Sequence, residues 1–510
     1  MEPVTVGPDP LTPADVVAVA RAGAPVRLDE RAVAAIRAGR ERVEAHLGTG
    51  EAVYGVTTGF GALAGVHIGA GDLDRLQVNL IRSHAAGTGA LLPAEVVRAM
   101  MLLRARALAS GYSGVREEVA RRYLELLNQG VTPAVPSRGS VGASGDLAPL
   151  AHIGLTVLGE GRVLTDGGTE PSAEALRRAG LEPLGLEAKE GLALVNGTEG
   201  MLAIGLLAMW DARDLLRQAD IGAAMSIEAA LGTDRPFAEE LMALRPHPGQ
   251  ATSADNLRRL MAGSEIMSSH RESDHAVQDP YSMRCAPQVH GAARQAWTFA
   301  GEVFALELAS VVDNPVILDD GRVESTGNFH GEPVAQALDV LAIGLVSLAS
   351  IAERRTYWLL GIGAERGLPP FLSVEAGLGS GYMLAQYTQA ALVSECKVLA
   401  HPASLDSIPT SGTQEDHVSM GFHGGLQLRE VLASVRAVLA IEALCAAQAL
   451  DLRAPLAPAR GTGAAHATLR ERVATLREDR EVAVDIEAAD GLVASGALVA
   501  AVEPVVGGLG

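Results

Sequence analysis

The chain has 510 residues, enough to bury a large core and to hold two or more domains, and its 41 basic against 61 acidic residues give a net charge of −20. That balance argues against nucleic acid as a partner and for a soluble, acidic surface. Hydrophobic residues make up 48% but aromatics only 3%, with alanine and leucine abundant, a mixture that favours helices packed on helices over sheet. Cys285, Cys396 and Cys445 stand far apart, so neither a zinc knuckle nor a disulfide framework is supported, and they read as buried thiols.

Met1 to Pro10 is acidic and contains prolines, unlike the basic start and apolar run of a signal peptide. The apolar run Val340 to Ala352 is too short to span a bilayer. A cytoplasmic protein without membrane contact is the expectation. From Thr12 to Leu47 the spacing predicts two amphipathic helices broken at Gly-Ala-Pro, with Pro13 and Asp29 near their starts. The texture then changes to a glycine and threonine loop, Val53 to Gly61, which holds Tyr54. Its glycines do not follow Gly-x-Gly-x-x-Gly, so a dinucleotide fold is disfavoured.

Helices are predicted over Leu76 to His84, Ala94 to Leu108 and Val115 to Leu127. Ser83 and His84 fall in the last turn of the first, where a histidine can simply cap the helix dipole. Punctuation at Pro133, Pro136 and Gly139 delivers the chain to Gly142-Ala143-Ser144-Gly145-Asp146, ahead of an apolar helical segment, Leu147 to Leu158. Two readings stand for this run. In one, Ser144 or Asp146 is a helix N-cap and Pro149 sits in the first turn. In the other, a hard bend lets the Gly145 nitrogen attack the Ala143 carbonyl carbon. Loss of two waters then leaves a five-membered ring in which Ser144 is an exocyclic methylidene, an electrophile that no unmodified side chain provides.

Asn196-Gly197-Thr198 reads as a turn, with Thr198 capping a helix from Met201 to Leu216. A polar insertion, Arg235 to Asp274, leads into Gln278-Asp279-Pro280-Tyr281-Ser282-Met283-Arg284, where Pro280 opens a helix that puts Tyr281 and Arg284 on one face. The apolar helix Val289 to Ala309 follows, then a turn at Val312-Asp313-Asn314-Pro315. Gly327-Asn328-Phe329-His330-Gly331 opens the longest apolar helical stretch, Pro333 to Leu360. The block Ser411 to His417 precedes another long helix, Leu426 to Leu450. His417 and His423 are six apart and do not share a helical face, which argues against a metal pair.

Common chemistries fall away one by one. Asp146 occupies the last position of what would be Gly-x-Ser-x-Gly, so no nucleophile elbow is present. Only two lysines exist, Lys189 and Lys397, neither in a recognisable pyridoxal phosphate context, and no Gly-x-x-x-x-Gly-Lys occurs. What survives is an enzyme whose electrophile is made from its own backbone, or a helical protein without chemistry.

Taken together, the blocks from the Tyr54 loop to Glu415 resemble the histidine and aromatic amino acid ammonia-lyase family, and Gly139 to Leu150 is similar to its signature for the 4-methylidene-imidazol-5-one group, MIO. The resemblance implies an all-α fold, with a long central helix bundle of the ammonia-lyase/fumarase-aspartase type and an N-terminal loop-rich region carrying the MIO group. It implies residues 1–200 as the MIO-bearing region and 201–510 as the central bundle with a C-terminal helical region, or one continuous unit. It also implies a homotetramer whose active sites combine residues of several subunits, and MIO formed from Ala143, Ser144 and Gly145 with no exogenous cofactor and no metal. The implied reaction is the non-oxidative elimination of ammonia from L-histidine to trans-urocanate, the first step of histidine degradation.

By motif match, Tyr54 resembles the family's β-proton base and Arg284 its carboxylate clamp. Asn196 and Tyr281 match residues that line the MIO group, Gln278 a polar contact near the carboxylate, and Phe329 a packing wall. Ser83, His84 and Glu415 resemble the histidine-specific pattern, which fits an imidazole with two nitrogens to satisfy. A tyrosine or phenylalanine lyase or aminomutase of the same family, and a catalytically silent scaffold, are the alternatives.

Overall fold

The computed structural model describes residues 2–47, 58–59, 61–63, 65–272, 276–361 and 366–510. Four helices carry its architecture: Glu199–Ala229, Ala286–Ala309, Glu332–Leu360 and Gly421–Asp451. They run for 31, 24, 29 and 31 residues, rich in alanine and leucine, which lose little freedom in a helix. Pro287 and Pro333 each occupy the second helical position, where a missing N–H leaves no bond unmade. Strands among the described residues are confined to four two-stranded ribbons. The fold is therefore mostly helical with long helices, as the composition and the resemblance lead one to expect.

Sequence patterning placed the shorter helices well. Thr12 and Asp15 cap Pro13–Ala22 reciprocally, each side chain accepting the other's backbone N–H. Leu73–His84, Ala94–Ala109, Glu117–Asn128 and Leu147–Val157 lie close to their expected bounds. The expected helix from Met201 to Leu216 instead continues to Ala229. Beyond Leu216 its apolar pattern is interrupted by Asp220, Ser226 and Glu228, all buried, and each finds hydrogen-bonding partners that keep the helix inside. The polar insertion holds the helix Pro248–Leu260, and Met383–Leu399 is a helix that the sequence reading did not mark.

Glu332–Leu360 is the single helix among the described residues long and apolar enough to cross a membrane, and 67% of its most apolar window is buried within the protein. A core helix meets the same criterion for an ordinary reason: it is apolar all round because it is surrounded.

The chain divides into two compact units. The first comprises Met1–Trp210, Ala300–Asp339 and Pro402–Leu426; the second comprises Asp211–Phe299, Val340–His401 and Gln427–Gly510. The expected boundary at residue 200 falls ten residues before the first segment of the first unit ends. In the first unit, Ala94–Ala109 is buried almost throughout, and it takes Arg104 and Arg106 into the interior with it. Leu73–His84, Leu147–Val157 and Glu190–Val195 pack mutually there. In the second unit, Arg460–Arg470 packs against Ala497–Val506, and a cluster of buried charged residues lies among the long helices.

Candidate active site

The run Gly142 to Asp146 connects the strand Pro136–Arg138 to the helix Leu147–Val157. Gly142 and Gly145 have φ of +65° and +72°, in the left-handed region where a side chain is strained. Space forbids one as well. A Cβ on Gly145 would lie 2.0 Å from the Gly197 carbonyl oxygen, and one on Gly142 would lie 2.1 Å from Ser419 Oγ. The close approach is bonded: the Asp146 N–H donates to Gly197 O at 2.8 Å, and the Ser419 hydroxyl donates to Gly142 O at 3.0 Å. The turn is thus clamped on both sides by segments remote in sequence.

Asp146 occupies the N-cap position of Leu147–Val157, but its carboxylate does not cap that helix. It accepts the Met201 N–H at 2.8 Å, at the start of Glu199–Ala229, and the Ser140 hydroxyl at 2.7 Å. Thr198, expected to cap that second helix, directs its hydroxyl to Glu307 instead. Asp146 is fully buried, and burial pushes its carboxyl up to about 7 against the pull of these hydrogen bonds.

A cavity of about 670 Å³ opens beside the turn. Ser144 lines it, while Ala143 is 4% exposed and Gly145 is buried, so of the three residues the serine alone is presented to the cavity. Ser83, His84 and Glu415 line the same space, together with Leu76, Leu80, Leu147 and Leu192. Four expected residues from three distant stretches of chain therefore meet around one void.

The histidine's state follows from its neighbours. The Ser83 hydroxyl donates to Leu80 O at 3.1 Å, so its oxygen accepts from His84 Nδ1–H, also at 3.1 Å. That leaves Nε2 as an acceptor. Burial lowers the His84 pKa, with the Leu80 carbonyl and the Glu415 charge opposing, so a neutral ring is favoured near pH 7. Glu415 is half-buried and accepts the Thr410 hydroxyl at 2.7 Å on Oε2. A bridge between Thr410 and Glu415 closes this loop, which reverses through Ser411, Gly412 and Thr413, all at positive φ.

Behind the turn lies a buried polar layer. Asn196 precedes the Gly197 that lies against Gly145, and it is 1% exposed. Its Nδ2 donates to Asn314 O at 2.8 Å and more weakly to Asp313 Oδ1 at 3.4 Å. Asp313 in turn accepts from Lys189 Nζ at 2.9 Å, with both side chains almost wholly buried. Burial lowers Lys189, and Asp313 pulls it back. Arg104 pairs with Glu199 at 2.9 Å and donates to Asn196 O at 2.7 Å, while burial raises Glu199.

The other expected residues lie elsewhere. Tyr54 falls outside the described residues. Phe329 is half-buried in a turn of the first unit and does not line the cavity. Gln278, Tyr281 and Arg284 belong to the second unit. Pro280 does open a short helix, Tyr281–Arg284, whose Arg284 guanidinium stacks 4.7 Å over the Tyr281 ring, and Tyr281 is 70% exposed. Sequence reasoning missed Leu76, Asn79 and Leu80, although their spacings of seven, four and three residues from Ser83 mark one stripe of Leu73–His84. It also gave no role to Lys189, whose signal was the scarcity of lysine in the chain.

Residues 11–471 match the family model for aromatic amino acid lyases. The chain is 54% identical over 507 residues to a histidine ammonia-lyase of Anaeromyxobacter dehalogenans, covering 98% of this chain and 100% of that one. Among solved structures it is similar to histidine ammonia-lyase from Trypanosoma cruzi, with a TM-score of 0.91 and 41% identity over 98% of this chain and 95% of that one. It is also similar to tyrosine aminomutase from Streptomyces globisporus, with a TM-score of 0.93 and 38% identity over 98% of each chain. The chain belongs to the aromatic amino acid lyase family.

Proposed function

We propose that the chain is a histidine ammonia-lyase, a carbon–nitrogen lyase that eliminates ammonia from L-histidine to give trans-urocanate. The backbone leaves the substrate open, since the TM-scores to a histidine lyase and a tyrosine aminomutase are nearly equal. The choice rests on side chains. One observation carries it: Ser144, the half-buried member of an otherwise buried turn, shares its cavity with His84 and Glu415. A protonated imidazole brings two ring N–H donors, and His84 Nε2 with the Glu415 carboxylate supplies an acceptor for each. A phenyl ring would leave both acceptors unpaired, and a phenol, with a single O–H, would leave one, a cost that discriminates against either.

The residues present fit the MIO group. The positive φ at Gly142 and Gly145, and the absence of room for a Cβ at either, hold the bend that closure between Gly145 N and the Ala143 carbonyl carbon needs. Ala143, Ser144 and Gly145 would form the group, which supplies an electrophile for the substrate's amino group so that a poor leaving group can depart. The helix Leu147–Val157 begins directly after the turn and sets the positive end of its dipole there.

The remaining roles divide by chemistry. Arg284 has the planar fork to hold a carboxylate through both oxygens, with Gln278 as a second polar contact. Tyr54 is the β-proton base; a free phenol has a pKa near ~10, so the base needs nearby positive charge to lower it. Tyr281 and Asn196 serve the amino acid end of the substrate, and Phe329 packs near the ring. In a cytoplasmic homotetramer, the second-unit residues Gln278, Tyr281 and Arg284 of one subunit serve a cavity in another.

Absorbance of urocanate during incubation with L-histidine, run beside L-tyrosine and L-phenylalanine, tests the reading. Histidine is turned over fastest if it is right; faster formation of coumarate or cinnamate overturns the substrate. Intact mass of the purified chain short of the sequence mass by two waters supports the group, and an unreduced mass removes it.

A further inference from the structure

Among the described residues, Asn196 has one polar atom without a partner. Its N–H donates to Leu192 O at 3.1 Å, its carbonyl accepts from Arg104, and its Nδ2 is taken by Asn314 O and Asp313. Oδ1 is buried and makes no hydrogen bond among the described residues. A buried amide acceptor left empty is costly unless something else fills it. The amide cannot turn over to relieve this, because Nδ2 faces two acceptors, and exchange would set oxygen against oxygen.

Two buried groups enforce that orientation. Asp313 receives Lys189 Nζ on Oδ2, and the Asn314 N–H on Oδ1 at 2.7 Å, so both carboxylate oxygens are pinned. Asn314 is pinned as well, its Oδ1 accepting the Thr326 N–H at 2.7 Å and the Ser325 hydroxyl at 3.1 Å. The Lys189 ammonium lies 2.9 Å from Asp313 Oδ2, a buried opposite charge that holds the carboxylate in place where burial disfavours either charge alone.

The free acceptor needs a donor. The ring that Ala143, Ser144 and Gly145 would close offers none: the Ser144 nitrogen becomes doubly bonded to carbon, and the Gly145 nitrogen carries three carbons. A carboxylate is all acceptor too. The group on an amino acid that brings N–H donors to this end of the site is its ammonium.

We propose that Lys189 and Asp313 are positioning residues that lock the Asn196 amide with Oδ1 turned to receive the substrate's α-ammonium. This deepens the reading of the chain as an amino acid lyase and rests on it. Asn196 thereby selects for an amine at the α-carbon, whatever ring the substrate carries.

The test separates amine binding from general damage. In the Ser144→Ala protein, which should bind without turning over, calorimetry compares L-histidine with imidazole-4-propanoate, the same molecule without its amino group. Adding Lys189→Met should weaken L-histidine about tenfold or more and imidazole-4-propanoate by less than about twofold. Lys189→Arg should recover much of the loss, since it restores the charge. Asp313→Asn, nearly isosteric, should give the same contrast should Lys189→Met fold poorly. Equal weakening of both ligands, or of neither, overturns the proposal. The urocanate assay on the unaltered enzyme judges the substrate separately, so failure there is distinguishable from failure here.

Discussion

Each unit buries a cluster of charged side chains, and the two clusters are built to opposite ends. In the second unit, Asp220 accepts from Arg294 at 2.6 Å, His290 Nδ1 at 2.7 Å and Asn256 at 2.8 Å, and from Ser253 as well. Arg355 grips Glu442 with two donors, and Ser226 donates to the same carboxylate at 3.0 Å. Burial alone would raise Asp220, but Arg294 and His290 outweigh it and hold the carboxyl at about 2. Around the Ser144 turn the balance reverses: burial wins, taking Asp146 up to about 7, raising Glu199 and lowering Lys189. In the second cluster every carboxylate oxygen of Asp220 and Glu442 is bonded, although Arg294 Nε has no partner among the described residues, so its acceptors are spent on the fold. An unsaturated cluster, with Asn196 Oδ1 empty, holds free energy in reserve for a group that arrives later.

The comparison breaks most visibly under two substitutions. Ser144→Ala should reduce histidine turnover by at least about a thousandfold, because the electrophile's precursor is gone, yet shift folding stability by under about 1 kcal/mol. Retained turnover, measured as urocanate, would deny Ser144 its role. Arg355→Met should do the reverse. It strands Glu442 in the interior and should cost about 3–5 kcal/mol in urea denaturation. A loss below about 1 kcal/mol would mean the second cluster does not stabilise the fold.

The pH dependence sharpens the contrast because the two aspartates have opposite signs. Asp146 keeps its proton in the folded chain up to about 7, whereas an unfolded aspartate loses it near ~3.9. Between those values the folded state binds more protons, so its contribution weakens stability as pH rises, by up to about 1.4 kcal/mol per unit, and levels off above 7. Asp220, held at about 2, contributes stability that is present above ~4 and is lost as the pH falls towards 2. Denaturation curves of wild type and Asp146→Asn from pH 4 to 8 read the first effect. The wild type should lose stability over that span relative to the variant, and parallel curves would show that Asp146 titrates normally.

Helices were legible wherever a face was apolar at helical spacing, which is why Leu73–His84 and Ala94–Ala109 were placed closely. The extension of Glu199–Ala229 was not legible, because Asp220 and Glu228 interrupt the apolar pattern and only the fold brings up Arg294, His290 and Thr462 to satisfy them. The site divides in the same way. Ser83, His84, Ser144 and Glu415 carried motif signals and converge on one cavity. Lys189 and Asp313 are 124 positions apart, and only folding makes them a pair. The side chain of Asp146 was misread for the same reason: local sequence marks a cap, but Met201, 55 residues away, is what it caps.

The smallest predicted effect tests the finest step, the orientation of Glu415. Thr410 donates to its Oε2 at 2.7 Å, and the backbone pairing of the same two residues, with Thr410 N donating to Glu415 O at 2.9 Å, holds the loop independently of the side chain. Thr410→Val keeps the shape and the loop but deletes that bond, worth about 0.5–1.5 kcal/mol. The kcat/KM for L-histidine should therefore fall about two- to tenfold, with stability unchanged. Any residual rate with L-phenylalanine should not move, since its ring asks nothing of Glu415. A parallel loss on both substrates would make Glu415 a support of the loop and leave recognition of the imidazole to His84.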